Sequence, residues 1–183
     1  MSFTFPKVDP KKPGYSPAQV DAFIARARDQ FNNIGTELVT ANDIRNTEFD
    51  LSHGGYSPEI VDGAMDTLED SFASREINRQ KTERGTFAVE DRLARVIELV
   101  QGRTERPKKQ RFTNTGLLLR GYSRKEVDAL CEHIERHLFS GAAITLNDVR
   151  RVVFNAKRGG YVEAQVDAFI DRVVELLQLE QNR

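Results

Sequence analysis

The chain of 183 residues has one cysteine, two methionines and no tryptophan. The lone Cys131 rules out a disulfide within the chain and suits a reducing compartment. Long apolar runs are missing too. No stretch approaches the roughly 20 residues of a spanning helix. The opening MSFTFPKVDPKK has no apolar run of signal-peptide length. A cytoplasmic protein is expected, with membrane contact only at its periphery. There is no excess of one charge either. The net charge is −1, so no global field steers the chain to nucleic acid, and no nucleic-acid partner is expected. Enzyme signatures are absent: no phosphate-cradling Gly-rich loop, no Ser-His-Asp context, no distinctive pair of carboxylates. A non-enzymatic protein without cofactors is the expectation.

What is present is a helix-forming mixture. Hydrophobic residues make up 39% and charged residues 30%, which suits packed amphipathic helices under a charged surface. Residues 1–104 carry 13 Lys/Arg against 17 Asp/Glu, whereas residues 105–183 carry 14 against 11. A partner preferring basic surface would meet the second part.

One phrase occurs four times: GYSPAQVDAF, GYSPEIVDGA, GYSRKEVDAL and GYVEAQVDAF. The repeated pairs are Gly14-Tyr15, Gly55-Tyr56, Gly121-Tyr122 and Gly160-Tyr161. Six residues after each Tyr stands an Asp preceded by Val: Asp21, Asp62, Asp128 and Asp167. Four hits in register mark an internal repeat. The copies group in twos. Phe5 and Phe112 each precede a Tyr by ten residues, and Phe49 and Phe154 each precede one by seven. Asp43-Ile44-Arg45 and Asp148-Val149-Arg150 recur at matching places. The organisation read from this is a first pair of units over 1–80, a central helix and basic linker over 81–111, and a second pair over 112–183.

Each copy reads as a helix with a defined start. Ser16 suits an N-cap and Pro17 the first helical position, while Gln19, like Glu126 after Ser123, completes a capping-box pattern. Gly before Tyr permits a sharp turn into the helix. The apolar positions are Val20, Phe23, Ile24, Ala27 and Phe31 in the first copy and Val61, Ala64, Met65, Leu68 and Phe72 in the second. They are Val127, Leu130, Cys131, Ile134 and Leu138 in the third, and Val166, Phe169, Ile170, Val173 and Leu177 in the fourth. All follow i, i+3, i+4, i+7, i+11, one buried stripe per helix, which a bundle buries. Thr40 and Thr145, each followed three residues on by Asp, start short helices. Residues 49–56 and 154–161 read as loops. Val89, Leu93, Val96, Ile97 and Val100 mark a fifth long helix, and RTERPKKQR after it a linker.

The order Thr-x-x-Asp-Ile-Arg, Phe, loop, Gly-Tyr, Val-Asp resembles the N-terminal domain of the DivIVA family. Residues 40–72 and 145–177 carry the full pattern; 5–31 and 112–138 carry the Phe and Gly-Tyr parts. The resemblance implies an all-α helical bundle of tandem DivIVA-like helix-loop-helix units. It implies a scaffold of bacterial cell division or polar growth, located in the cytoplasm or peripherally at the membrane of poles or septum. Its implied partners are a protein, such as a DivIVA-type coiled-coil scaffold, and an anionic membrane surface. Family members are held to touch membrane through an apolar-Arg pair just before Gly-Tyr. That place is taken here by Lys12-Pro13, His53-Gly54, Leu119-Arg120 and Arg158-Gly159, and only Leu119-Arg120 fits. No heptad run for the family's long coiled coil follows the last helix. The copies are therefore expected to pair inside one chain, as a monomer, in place of the family's dimer; a homodimer is the alternative.

The candidate contact is Leu117, Leu118, Leu119 and Arg120, with Lys157 and Arg158 as further cations. The competing reading buries the three leucines, and the rarity of contiguous exposed apolar patches favours burial. Arg103, Arg106, Lys108, Lys109 and Arg111 read either as a cationic patch or, preferably, as a solvated linker. The four Asp and four Tyr read as structural: the acids suit the first turns of helices, and the tyrosines anchor the turn with hydroxyls reaching a partner. His133 and His137 have a metal-compatible spacing. Repeat alignment turns Cys131 to the core and His133 to solvent, however, so no metal site is expected. The alternative function is a regulatory protein using the same helical modules for an unrelated protein or nucleic-acid-linked partner.

Overall fold

A helix with a single apolar stripe is stable once that stripe meets another. A computed structural model describes residues 4–32 and 39–183, and its stripes meet in two separate cores. The first three residues of the N-terminal stretch lie outside the described residues. The protein is mostly helical, with two small antiparallel sheets. In chain order the elements are β1 (Pro13–Tyr15), α1 (Pro17–Asn32), α2 (Ala41–Arg45), β2 (Leu51–His53), α3 (Pro58–Arg84) and α4 (Thr86–Thr104). They continue with β3 (Arg120–Tyr122), α5 (Arg124–Ser140), α6 (Leu146–Arg150), β4 (Ala156–Arg158) and α7 (Glu163–Gln181). Among the described residues no helix is long and apolar enough to cross a membrane.

The chain divides into two compact units, Met1–Glu76 and Ile77–Arg183. The first core is built on Phe5, Val20, Phe23, Ile44, Tyr56, Val61, Met65 and Phe72. The second takes the same positions from copies three and four and adds Val89, Leu93, Val96 and Val100 of α4. The central helix therefore packs with α5 and α7. The valine before each repeated Asp is 0% exposed in all four copies, as the stripe requires. Phe31 departs from its stripe: at the end of α1 the Phe72 ring and the Arg75 guanidinium lie against its ring, and 40% stays exposed.

Both short helices begin with the expected reciprocal caps. Asp43 N–H donates to Thr40 Oγ1 at 3.1 Å while Asp43 Oδ2 accepts from the Thr40 N–H at 2.8 Å; Thr145 and Asp148 repeat the pattern. Those acids sit below the usual carboxylate range because the threonine's backbone N–H and hydroxyl both donate to them. The capping boxes expected in copies one and three do not form in that way. Gln19 instead exchanges hydrogen bonds with Asp50, and Glu126 accepts both the Asn155 backbone N–H (2.8 Å) and its side-chain amide (2.9 Å). The Ser123 side chain makes no cap bond. At this position the side chain faces the paired copy, which offers donors a lone helix end lacks.

The segments expected to be loops contain strands. Pro13 pairs with His53, Gly14 with Ser52 and Tyr15 with Leu51; Arg120 pairs with Arg158, Gly121 with Lys157 and Tyr122 with Ala156. Three-residue strands are too short for an alternating pattern to register in sequence. Gly-Tyr therefore lies in a strand in copies one and three and ends on an isolated bridge residue in copies two and four, and the glycine serves close backbone approach rather than a turn. A Cβ on Gly14 would stand 2.5 Å from the Tyr56 carbonyl oxygen.

Candidate functional site

The repeated residues meet crosswise. Tyr15 and Tyr56 exchange backbone hydrogen bonds (2.9 and 2.8 Å), as do Tyr122 and Tyr161 (3.0 and 2.8 Å). The Phe of one copy packs on the Tyr of the other: Phe5 on Tyr56, Phe49 on Tyr15, Phe112 on Tyr161 and Phe154 on Tyr122. Each tyrosine hydroxyl donates to the Asp of the paired copy. Tyr56 reaches Asp21 at 3.1 Å and Tyr161 reaches Asp128 at 2.9 Å; Tyr15 bonds Asp62 and Tyr122 bonds Asp167. These eight residues bond the two copies of each unit to one another, a contact beyond the helix dipole. Burial, then the adjacent carboxylate, raises all four hydroxyls, Tyr161 to about 12, so they stay protonated donors.

This cross-bonding yields a prediction. Tyr161→Phe should cost about 2–3 kcal/mol, because a buried carboxylate loses a charge-assisted bond. Tyr56→Phe should cost about 1 kcal/mol, since its Asp21 is exposed to water. Urea unfolding of the two variants checks the order.

The crossed strands lead into two loop tips. In the second unit the tip is Gly116 to Arg120, lying against the Lys157–Gly159 turn. Gly159 N–H donates to the Leu119 carbonyl at 3.0 Å, and Thr115 Oγ1 donates to the same oxygen at 3.1 Å. Leu117, Leu118 and Leu119 are 88%, 90% and 65% exposed, which overturns the buried reading. Arg120, Lys157 and Arg158 are exposed as well, with Arg120 directly opposite Arg158. Copy three thus supplies three bare leucines and one cation, and copy four supplies two cations. In the first unit the corresponding tip carries exposed Lys11, Lys12 and His53 and no large apolar side chain.

The basic stretch behind copy three is exposed over 105–110, as a solvated linker would be, but it ends on a buried cation. Arg111 is 4% exposed. Its Nε donates to the Thr104 carbonyl at 3.0 Å and its Nη1 to the Asp128 carbonyl at 2.7 Å. Asp128 also accepts the Lys109 N–H at 2.8 Å, and Arg111 N–H donates to the Tyr161 hydroxyl at 3.2 Å. Arg103 lies over the Phe112 ring, and Lys108 pairs with Glu132 at 2.7 Å. A charge run reads as solvated because its partners, one helix away, are invisible locally. Arg106, Lys108 and Lys109 keep exposed side chains.

Cys131 is fully buried, and burial pushes its thiol up to about 12, so it is an unreactive core group. His133 Nε2 lies 3.0 Å from the Ala143 carbonyl oxygen, and His137 lies between the Ala142 carbonyl and Glu180. Among the described residues no group of three or more His, Cys, Asp or Glu converges as a metal site would. The feature that stands out is the exposed Leu117–Arg120 tip with its flanking cations. No family model, no curated protein and no solved structure matches the chain.

Proposed function

We propose that the chain is a non-enzymatic adaptor of bacterial cell division or polar growth, built of paired DivIVA-like units. In this reading it docks on the inner membrane surface through the tip of its second unit, at poles or septum, and meets a DivIVA-type coiled-coil scaffold there. The observation that carries the reading is the full exposure of Leu117 and Leu118 beside Arg120, Lys157 and Arg158. Bare apolar side chains on a loop tip gain free energy in the acyl region, while cations beside them meet anionic headgroups. Full burial of a leucine contributes about 1.5–3 kcal/mol, and each cation near an anionic leaflet about 1 kcal/mol. A single tip of this kind binds reversibly.

The test is co-sedimentation with anionic and neutral vesicles at low and moderate salt. Selective pelleting with anionic vesicles is expected, and Leu118→Glu should weaken it at least about tenfold. Lys157→Glu should lower binding and flatten its salt dependence. An absence of pelleting at either salt would exclude the membrane contact. Salt-dependent binding to DNA instead would favour the regulatory reading.

The pairing of copies inside each unit also makes a monomer the expected species. Light scattering should return the mass of one chain, and an obligate dimer would oppose this.

A further inference from the structure

His137 stands on the last turns of α5 with both ring nitrogens against oxygen. Nδ1 is 2.8 Å from the Ala142 carbonyl oxygen and Nε2 is 2.8 Å from Glu180 Oε2. Neither oxygen carries a hydrogen to give when Glu180 is ionised. A neutral imidazole has one N–H, so either tautomer leaves one oxygen facing a bare nitrogen lone pair. Only the doubly protonated ring donates to both. The C-terminal end of α5, with its free carbonyls, also favours a cation. The contact spans three parts of the second unit: the end of α5, the Gly141–Thr145 loop that leads into α6 and on to β4, and the last turn of α7.

We propose that His137 and Glu180 form a proton-dependent clasp. It fixes the α5–α6 loop and the last turn of α7 while the imidazole carries both protons, and frees them when one is lost. The proposal stands independently of the role assigned to the tip. The charged groups around the clasp are Glu180 on α7, Arg136 beside His137 on α5, and His133 one turn back, which faces Asp148 of α6. Lys81 of α3 donates to the Asn182 carbonyl at the same end of α7. Burial by itself pulls the His137 pKa down, but the Glu180 carboxylate and the Ala142 carbonyl outweigh it and hold it above the usual histidine value. A raised folded pKa adds stability that is complete below the unfolded value of about 6.5 and is lost as pH rises through the folded value.

Backbone amide exchange followed by NMR on the full chain, corrected for the intrinsic pH dependence of exchange, tests this. Protection at residues 142–145 and 179–183 should fall about fivefold or more between pH 5.5 and pH 8.5. Glu180→Gln should stay protected at both pH values, because the introduced amide can donate to a neutral Nε2. Glu180→Ala should be unprotected at both. Equal wild-type protection across the range, or a wild-type pH response retained by Glu180→Ala, would overturn the clasp.

Discussion

Gly121→Ala is expected to destabilise the second unit by at least about 3 kcal/mol, because a backbone crossing has no room for a methyl group. The added Cβ would lie 2.7 Å from Thr115 Cγ2 and 3.0 Å from the Tyr161 carbonyl carbon, and closer still to the Tyr161 carbonyl oxygen. Side chains can rotate away from such a clash, but this carbonyl cannot. It is held by the Tyr122 N–H at 3.0 Å, and the reciprocal bond from Tyr161 is 2.8 Å. Relief would require breaking the exchange that joins copy three to copy four, and with it the Phe112–Tyr161 and Phe154–Tyr122 contacts. A drop in melting temperature of about 12 °C or more follows for a unit of this size. Gly102→Ala is the matched control. It lies inside α4 with nothing near its Cβ position, so alanine there should stabilise by about 0.5–1 kcal/mol. If both variants melt like the parent chain, the crossing is not as described.

Arg111→Ala is expected to have the second large effect, a loss of about 3–5 kcal/mol. The substitution strips hydrogen bonds from the carbonyls of Thr104, Arg106 and Asp128 and leaves the 4% exposed Asp128 carboxylate without its nearby cation. Arg111→Lys should recover only part of this, since one ammonium cannot follow the planar fork to several acceptors. Lys108→Ala removes the same charge from the same stretch. Its ion pair with Glu132 is solvent-exposed, at 67% and 39%, so its loss should stay within about 0.5 kcal/mol. Urea unfolding of the three variants separates the readings. Equal, small losses for Arg111 and Lys108 would return the stretch to an ordinary linker.

Position Tyr+4 illustrates the limit of local reading. Gln19 and Glu126 stand where a capping box would place them, yet both side chains turn to the paired copy, at Asp50 and Asn155. The caps that did form, Thr40–Asp43 and Thr145–Asp148, open five-residue helices. A capping pattern identifies a possible bond, and the neighbours in space choose among the possibilities.

The candidate site was legible in its membership but not in its exposure. The Leu117–Arg120 run and the Lys157-Arg158 pair stand out in the residue order. The Leu119 carbonyl is held by the Thr115 hydroxyl and the Gly159 N–H, the latter forty residues away, and residue order does not show such contacts. Arg111 shows the converse: a residue that reads as solvated charge is the buried centre of a polar network.

By itself the sequence determined the four helices, their registers and their buried faces. A 3.6-residue apolar stripe is a local property of the chain, and the Val before each repeated Asp is buried in every copy. It also determined which Phe, Gly, Tyr and Asp residues matter, by repeating them. Only the tertiary structure decided what those residues touch. Phe5 meets Tyr56 rather than Tyr15, Tyr161 meets Asp128 rather than Asp167, and the central helix joins the second core. A repeat states that its copies share an interface. The closure of that interface between neighbouring copies depends on strand pairing and glycine contacts across some forty residues, which no local pattern encodes.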